Sequence, residues 1–475
     1  MHPSSPTAAL LLALATFAVP TAKPAAAAPV SLDDAITAAV TYDPQAKAQR
    51  AAVDAARADR ASGRARFLPL LRVEGNVQVW NSPTDVSFTG GAAVPTLPAP
   101  STPYEAVVAG LIDGFSTPTR IRDQVTATLS ATVVQPLTPL LFMGDTHALL
   151  DLGVESARIG VASASRQAAL NAATGYVTVR LAMALESSAR TQVAELDSQL
   201  ERLDALVRGG VARESDQLRL QVARAAAQQD VIVAASRVRL AQAALATAMG
   251  IDASVPVDTA PLPAITCVAD TTDLAELQRR ALAERPELAA VRTGAEQASL
   301  AASVKEMDLW PSLNALLAYS HVEGQGLADK DSGFIGLALT WNAFEWGASS
   351  EAVNASEARA RQVTAQLGAV EDGVRLQVQQ AQLDLQTIAE SLGVAALAER
   401  QAAESLRIDT ARYAAGAATA TDVVTAESAL REARDRRLAA EHQCLLANAN
   451  LRAAVGDPIT ADTIIITATE KGDRR

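Results

Sequence analysis

Between Leu71 and Trp80 the chain alternates strictly. Leu71, Val73, Gly75, Val77 and Val79 take the odd positions, and Arg72, Glu74, Asn76 and Gln78 the even ones. Successive strand side chains point to opposite faces, so this period of two predicts a strand with one apolar and one polar face. The pattern returns in a second segment, about 123–135. There Val125, Ala127, Leu129, Ala131 and Val133 oppose Gln124, Thr126, Thr128, Ser130 and Thr132. Weaker alternation predicts two more strands, about 312–321 and about 333–342. A long polar stretch rich in Pro, Gly, Ser and Thr separates the first pair and reads as a loop. A short polar loop, Glu323 to Ser332, joins the second pair.

Elsewhere the period is close to 3.6. Residues 32–66 read as a helix whose only interior breakers are Pro44 and Gly63, with Asp33 and Asp34 suited to its N-terminal dipole. From Asp145 to Arg208 no proline interrupts, and at about 1.5 Å per residue such a helix approaches 100 Å. Val193, Leu196, Leu200, Leu203 and Val207 step by three and four, the spacing of a coiled-coil seam. Gly209 and Gly210 break the helix. A returning helix carries Val231, Ala234, Val238, Ala241 and Leu245 in the same rhythm and ends at Gly250. The later half repeats the order, with a helix from about Ala348 to Tyr413, a turn at Gly416 and a return to Val455.

The resemblance between halves extends to single positions. Leu32, Pro44 and Pro69 each have a like residue 242 positions on, at Leu274, Pro286 and Pro311. Gly210, Asp216, Leu245 and Gly250 have theirs 206 positions on, at Gly416, Asp422, Leu451 and Gly456. A twofold internal repeat means one unit built twice, which points to an assembly. Five segments follow: a signal peptide at 1–27, a first repeat at 28–250, a linker at 251–272, a second repeat at 273–456 and a tail at 457–475. The proline-rich linker is expected at mid-height of the helical wall. The tail is expected to be irregular, apart from the short apolar run Ile464 to Ile466.

Aromatic residues make up only 3% of the chain, so its packing rests on closely apposed Ala-rich helices instead of bulky cores. The net charge of −12 argues against a nucleic-acid backbone as partner. Ala8 to Val19 form an apolar run too short to span a bilayer, and Ala25 to Ala28 offer a small-residue cleavage site. The first residues therefore read as an export signal, although they lack Lys and Arg. No later stretch reads as a transmembrane helix. Cys267 and Cys444 are the only cysteines, and an oxidising compartment permits a bridge between them. No metal-ligand spacing, phosphate loop or nucleophile elbow occurs, so no catalytic residue, metal or cofactor is expected.

Four strands cannot close a membrane barrel, and an open sheet in lipid would leave backbone groups unpaired. If the strands span a membrane, copies of the chain must combine. The apolar rows would face lipid. Arg72, Glu74, Asn76, Gln78, Thr126 and Thr128 would face a wet lumen, and Trp80, Tyr319 and Trp341 would mark the membrane interfaces.

The stretch Tyr413 to Val424, the ending Leu451 to Gly456, and the pattern Leu274, Ala281, Pro286, Leu288 leading to Trp310-Pro311-Ser312 resemble the TolC-like outer-membrane efflux protein family. The resemblance spans nearly the whole mature chain. It implies a mainly α protein with membrane β-strands, built as a homotrimer with a twelve-stranded barrel continued by a periplasmic α-helical tunnel. It implies an exit duct in the outer membrane of a Gram-negative bacterium, serving a tripartite efflux pump or a type I secretion system. The partners would be outer-membrane lipid, a periplasmic adaptor (membrane fusion protein) and an inner-membrane transporter of RND, ABC or MFS type. The resemblance further implies that such a duct is passive and not an enzyme.

The resemblance also places a periplasmic gate at the helical tips. Asp422 matches the position of an acidic ring, with Asp216 its partner in the first repeat. Thr425 stands where some members carry a second Asp. Tyr413 matches a tip-locking tyrosine, while Ala418 replaces the usual basic partner, a part left to Arg208 or Arg213. Gly209, Gly210 and Gly416 would shape the tips and dock the adaptor. Read without the resemblance, Asp216 and Asp422 serve equally well as helix caps. The alternative to a channel is a soluble periplasmic coiled-coil adaptor or structural protein without a pore.

Overall fold

The computed structural model describes residues 29–88, 98–210, 213–263, 265–326 and 329–465. The expected signal peptide lies outside them. The chain begins with α1 (Leu32–Tyr42) and α2 (Pro44–Ala65). It corrects the expectation of one helix over 32–66. Asp43, held at φ −43° and ψ 120°, separates the two and caps α2 by accepting from the Ala46 N–H at 2.7 Å. A proline disfavours helical backbone in the residue before it, yet fits the first position of a new helix.

Strand β1 (Leu70–Val79) follows, then a short β2 (Thr84–Val86). The expected long loop contains a helix, α3 (Pro103–Ser116). Thr102 and Glu105 cap its N-terminus reciprocally, and Pro103 opens its first turn. Strand β3 (Thr119–Pro136) is longer than its alternating core, and a 3₁₀ turn (Thr138–Phe142) leads into α4 (Met143–Arg208). At about 1.5 Å per residue these 66 residues extend roughly 100 Å. Helix α5 (Glu214–Met249) returns beside α4.

The later half has α6 (Leu274–Glu284), α7 (Pro286–Lys305), β4 (Ser312–Gln325), β5 (Asp331–Thr340), α8 (Ala348–Ala414) and α9 (Ala420–Val455). Arg285, at ψ 124°, separates α6 from α7 as Asp43 separates α1 from α2. A single turn, α10 (Ala461–Ile464), closes the described chain.

The strands form one antiparallel sheet in the order β1-β3-β4-β5, with β2 paired to β3. In register, Val73 lies beside Ala131, Ala131 beside Tyr319, and Tyr319 beside Gly333. Strands β1 and β5 each have one unpaired edge among the described residues.

Each long helix packs against two shorter ones set end to end. Helix α2 lies on the sheet-proximal part of α4, where Gly63 meets Leu150. Helix α5 lies on the distal part, where Arg224 pairs with Asp197. The ends of α1 and α5 meet where the Tyr42 ring covers Gly250, a left-handed cap at φ +75°. The same junction recurs between Glu284 and Gly456.

The largest core sits at that level. Leu32 and Ile36, Tyr176 and Val179, and Leu245 and Met249 meet Leu445 of α9 there. The linker crosses at this height, as expected: Val257 is buried, and the Tyr176 hydroxyl reaches the carbonyls of Ala260 (2.8 Å) and Val30 (3.1 Å). The described part of the tail, to Ile465, is more ordered than expected, since Ile459 and Ile464 bury in this core; Ile466 lies outside the described residues. A second core joins Leu277, Leu288, Val378, Leu385 and Leu451, and at its edge Cys267 and Cys444 form a disulfide with Cα atoms 5.9 Å apart.

One helix departs from the expectation that none could cross a membrane. Residues Glu214–Ala248 of α5 are long and apolar enough by length and composition. Leu218, Val222, Ile232 and Leu240 stay exposed on it, while Leu220, Ala227, Ala234, Val238 and Leu245 bury at near-heptad spacing. Abundant alanine raises its mean hydropathy without a continuous bulky surface.

Candidate functional site

The turns that follow α4 and α8, at Gly209–Gly210 and at 415–419, lie at the end of the molecule far from the sheet. Gly210 and Gly416 both adopt left-handed backbone, at φ +71° and +73°. Glycine takes this conformation without the steric cost that a Cβ imposes. Gly209 is different, ending α4 in right-handed backbone at φ −78°.

Behind the turns a small cluster joins the hairpins. Leu203 of α4, Leu220 of α5 and Ala420 of α9 are buried, with Leu200, Val207, Tyr413 and Val424 packed around them. Tyr413 is half-buried, and burial pushes its phenol pKa up, with the negative charge of Asp216 adding to the rise. Tyr413 of one hairpin and Asp216 of the other thus share one environment. Asp422 is exposed and closes a reciprocal cap with Thr419. Backbone and side-chain hydrogen bonds from Thr419, and then the nearby charge of Arg412, hold its carboxyl below the usual range. Thr425 is exposed one turn further along α9.

Arg208 pairs with Asp204 of its own helix at 3.2 Å. The basic residue that crosses between hairpins is Arg219, which donates to the Thr421 hydroxyl at 2.5 Å. Sequence reading passed over it because an exposed arginine on a helix is ordinarily a solvated charge. Further from the tip the hairpins are tied by arginines of α9. Arg431 meets Asp230 of α5 at 3.1 Å, and Arg434 meets Glu195 of α4 at 3.3 Å.

At the other end, strand register puts Arg72 beside Thr132, Glu74 beside Ser130, Asn76 beside Thr128 and Gln78 beside Thr126. These residues share one face of the sheet. The opposite face carries Val73, Val77, Leu317, Ile335, Leu337 and Leu339, all exposed, with Ile335 at 84%. An apolar face this bare in water calls for a covering. Trp341 is exposed beyond β5, and Tyr319 bonds Asp331 near the β4–β5 turn. Trp80 sits on the polar face: its indole donates to the Thr126 hydroxyl at 3.1 Å, and Arg122 stacks 3.8 Å over its ring. Thr126 is consequently buried beneath it.

Residues 277–457 match the model of a family described as outer membrane efflux protein. No curated protein matches the chain in sequence. Several solved structures share its fold. VceC, an outer membrane protein of Vibrio cholerae, is 16% identical, with a TM-score of 0.70 over 90% of this chain and 97% of that one. CusC is 14% identical, with a TM-score of 0.73 over 90% and 92%. The MtrE outer membrane channel of Neisseria gonorrhoeae, solved in its open state, is 17% identical, with a TM-score of 0.68 over 91% and 90%.

Proposed function

Residues 277–457 belong to the outer membrane efflux protein family, and from that premise we propose that the chain is the outer-membrane exit duct of an efflux system. The observation that carries the reading is the sheet: four main strands, two free edges and one bare apolar face, continued by helices roughly 100 Å long. Lipid is the covering that an exposed band of Val, Leu and Ile fits. The free edges of β1 and β5 must pair as well, because lipid offers backbone groups no hydrogen bonds. Pairing β5 of one copy with β1 of the next meets both needs, and three copies give twelve strands.

In that assembly the chain's two halves act as one unit built twice. Arg72, Glu74, Asn76, Gln78 and Thr128 line the wet interior, and Tyr319 and Trp341 sit near the lipid boundaries. The exposed apolar stripe of α5 packs against a neighbouring copy. The helical tips form the periplasmic gate, with Asp422 and Asp216 ringing the constriction, Thr425 beside them and Tyr413 holding the hairpins together. The turns at Gly209, Gly210 and Gly416 receive a periplasmic adaptor, which joins the duct to an inner-membrane transporter. Transport through the duct is passive.

A soluble periplasmic coiled-coil protein is disfavoured by the bare apolar sheet face. Membrane fractionation separates the two readings. The duct predicts heat-modifiable trimers in the outer-membrane fraction; a soluble monomer in the periplasmic fraction would overturn it.

A further inference from the structure

Glu427 is out of place for a carboxyl. It lies on α9 near the tip and is only 4% exposed, and neither of its carboxyl oxygens has a hydrogen-bond partner. It lines a cavity of about 220 Å³ between the hairpins, walled by Gln192 and Leu196 of α4, Ala223 and Ala227 of α5, and Val424 of α9. The nearest arginine on its own helix, Arg431, also lines the cavity; its terminal nitrogens pair with Asp230 and Asp435, and its buried Nε makes no bond to Glu427. The charges around it do not neutralise it. On α4, Glu195 repels its charge and Arg202 opposes that effect. On α5, Asp230 faces Arg431 and Arg224 is held by Asp197. On α8, Glu399 is taken by Arg434 and Arg437 of α9. An ionised carboxylate buried without a partner is costly, so packing of the hairpins favours the neutral acid.

We propose that Glu427 is a proton-operated latch between the two hairpins: protonated, it permits their packing, and ionised, it favours their separation at the tip. The tip is where separation costs least. Among the described residues only Leu203, Leu220 and Ala420 are fully buried in its apolar cluster, whereas the large core lies at mid-height. The latch needs only the packed hairpins, and so stands or falls separately from the channel reading.

Burial first, and then the charge of Glu195, raises the Glu427 pKa from 4.5 to about 7. Separation would expose the carboxyl to water and return it towards 4.5. The packed state therefore holds the proton more tightly and is most favoured below 4.5. Its advantage declines as pH rises from 4.5 towards 7, and levels off above that. Between pH 5.5 and 7.5 the ratio of separated to packed tips should rise about twentyfold.

The test is electron–electron distance measurement on the full-length assembled protein, with spin labels at Glu214→Cys and Ala417→Cys, one on each hairpin. Wild type should shift towards longer distances as pH rises from 5.5 to 7.5. Glu427→Gln, neutral at every pH and of the same size, should keep the short distance throughout. Arg202→Gln, which removes the positive charge that lowers the Glu427 pKa, should move the wild-type midpoint to higher pH. A Glu427→Gln protein that responds like wild type, a wild type that does not respond, or an unmoved midpoint in Arg202→Gln would each overturn the latch. The last measurement decides the matter even if Glu427→Gln fails to assemble.

Discussion

The Asp422 carboxylate accepts from the Thr419 N–H at 2.7 Å and from its hydroxyl at 2.9 Å, while the Asp422 N–H donates to that hydroxyl at 3.3 Å. At the corresponding start of α5, Arg213 stands where Thr419 would be, and it makes no side-chain cap. Asp216 thus lacks the partner that fixes Asp422, and its charge is felt by Tyr413. The two acidic groups proposed to ring the tip therefore differ: Asp422 is fixed by a cap and Asp216 is not.

Thr419→Ala should destabilise the start of α9 by about 1 kcal/mol, the usual worth of a hydroxyl cap. Hydrogen exchange over peptides covering 419–426 would report it, and Arg213→Ala should leave the start of α5 unchanged. The Asp422 carboxyl is held below its ordinary 3.8. Its contribution is therefore complete above that pH and is lost only as pH falls through the lower folded value.

Reducing the disulfide between Cys267 and Cys444 should lower stability by about 2–4 kcal/mol, because it closes a loop of 177 residues. The change should centre on the linker, which the bridge fastens to α9. Limited proteolysis with and without reductant would show new cleavage between 251 and 273. Cys267→Ser should behave like the reduced protein and be insensitive to reductant.

Gly250→Ala and Gly456→Ala should each cost at least about 1–2 kcal/mol, the penalty for an L-residue in left-handed backbone. The Gly250 substitution should cost more than that, since the new methyl would strike the Tyr42 ring. Gly153→Ala is the contrast. It lies inside α4 with open space around it, and alanine there should stabilise by up to about 1 kcal/mol. Thermal unfolding of the three variants would rank them.

Tyr413→Ala should weaken the contact between hairpins by about 2 kcal/mol, an intermediate cost for a half-buried aromatic. Tyr413→Phe keeps the ring among Leu203, Leu220 and Ala420 and should behave nearly as wild type. Protease sensitivity at 415–419 should rise in the first variant only.

Much of this architecture was legible from periodicity alone. The alternation in Leu71–Trp80 placed β1 within a residue, and the seam through Leu196 and Leu203 describes a face that α4 buries. The division at Pro44 was not legible, because a proline after a helical pattern can end a helix or open the next. Its recurrence at Pro286 was the available signal. Helix α3 was missed, because its capping pattern of Thr102, Pro103 and Glu105 lies inside a stretch that reads as a polar loop. Glu427 carried no signal at all. Its burial comes from the approach of Ala223 and Ala227 on a helix some two hundred residues earlier in the chain. Local pattern sets which residues share a face, but only the packing of hairpin on hairpin decides which charge loses its water.

The central claim is a passive trimeric duct constricted at the helical tips. Single-channel conductance of the purified mature protein in planar bilayers, wild type beside Asp422→Ala, tests it most directly. The duct predicts discrete, cation-preferring openings whose conductance or selectivity changes with the substitution. A protein that remains a soluble monomer and never inserts would contradict the claim.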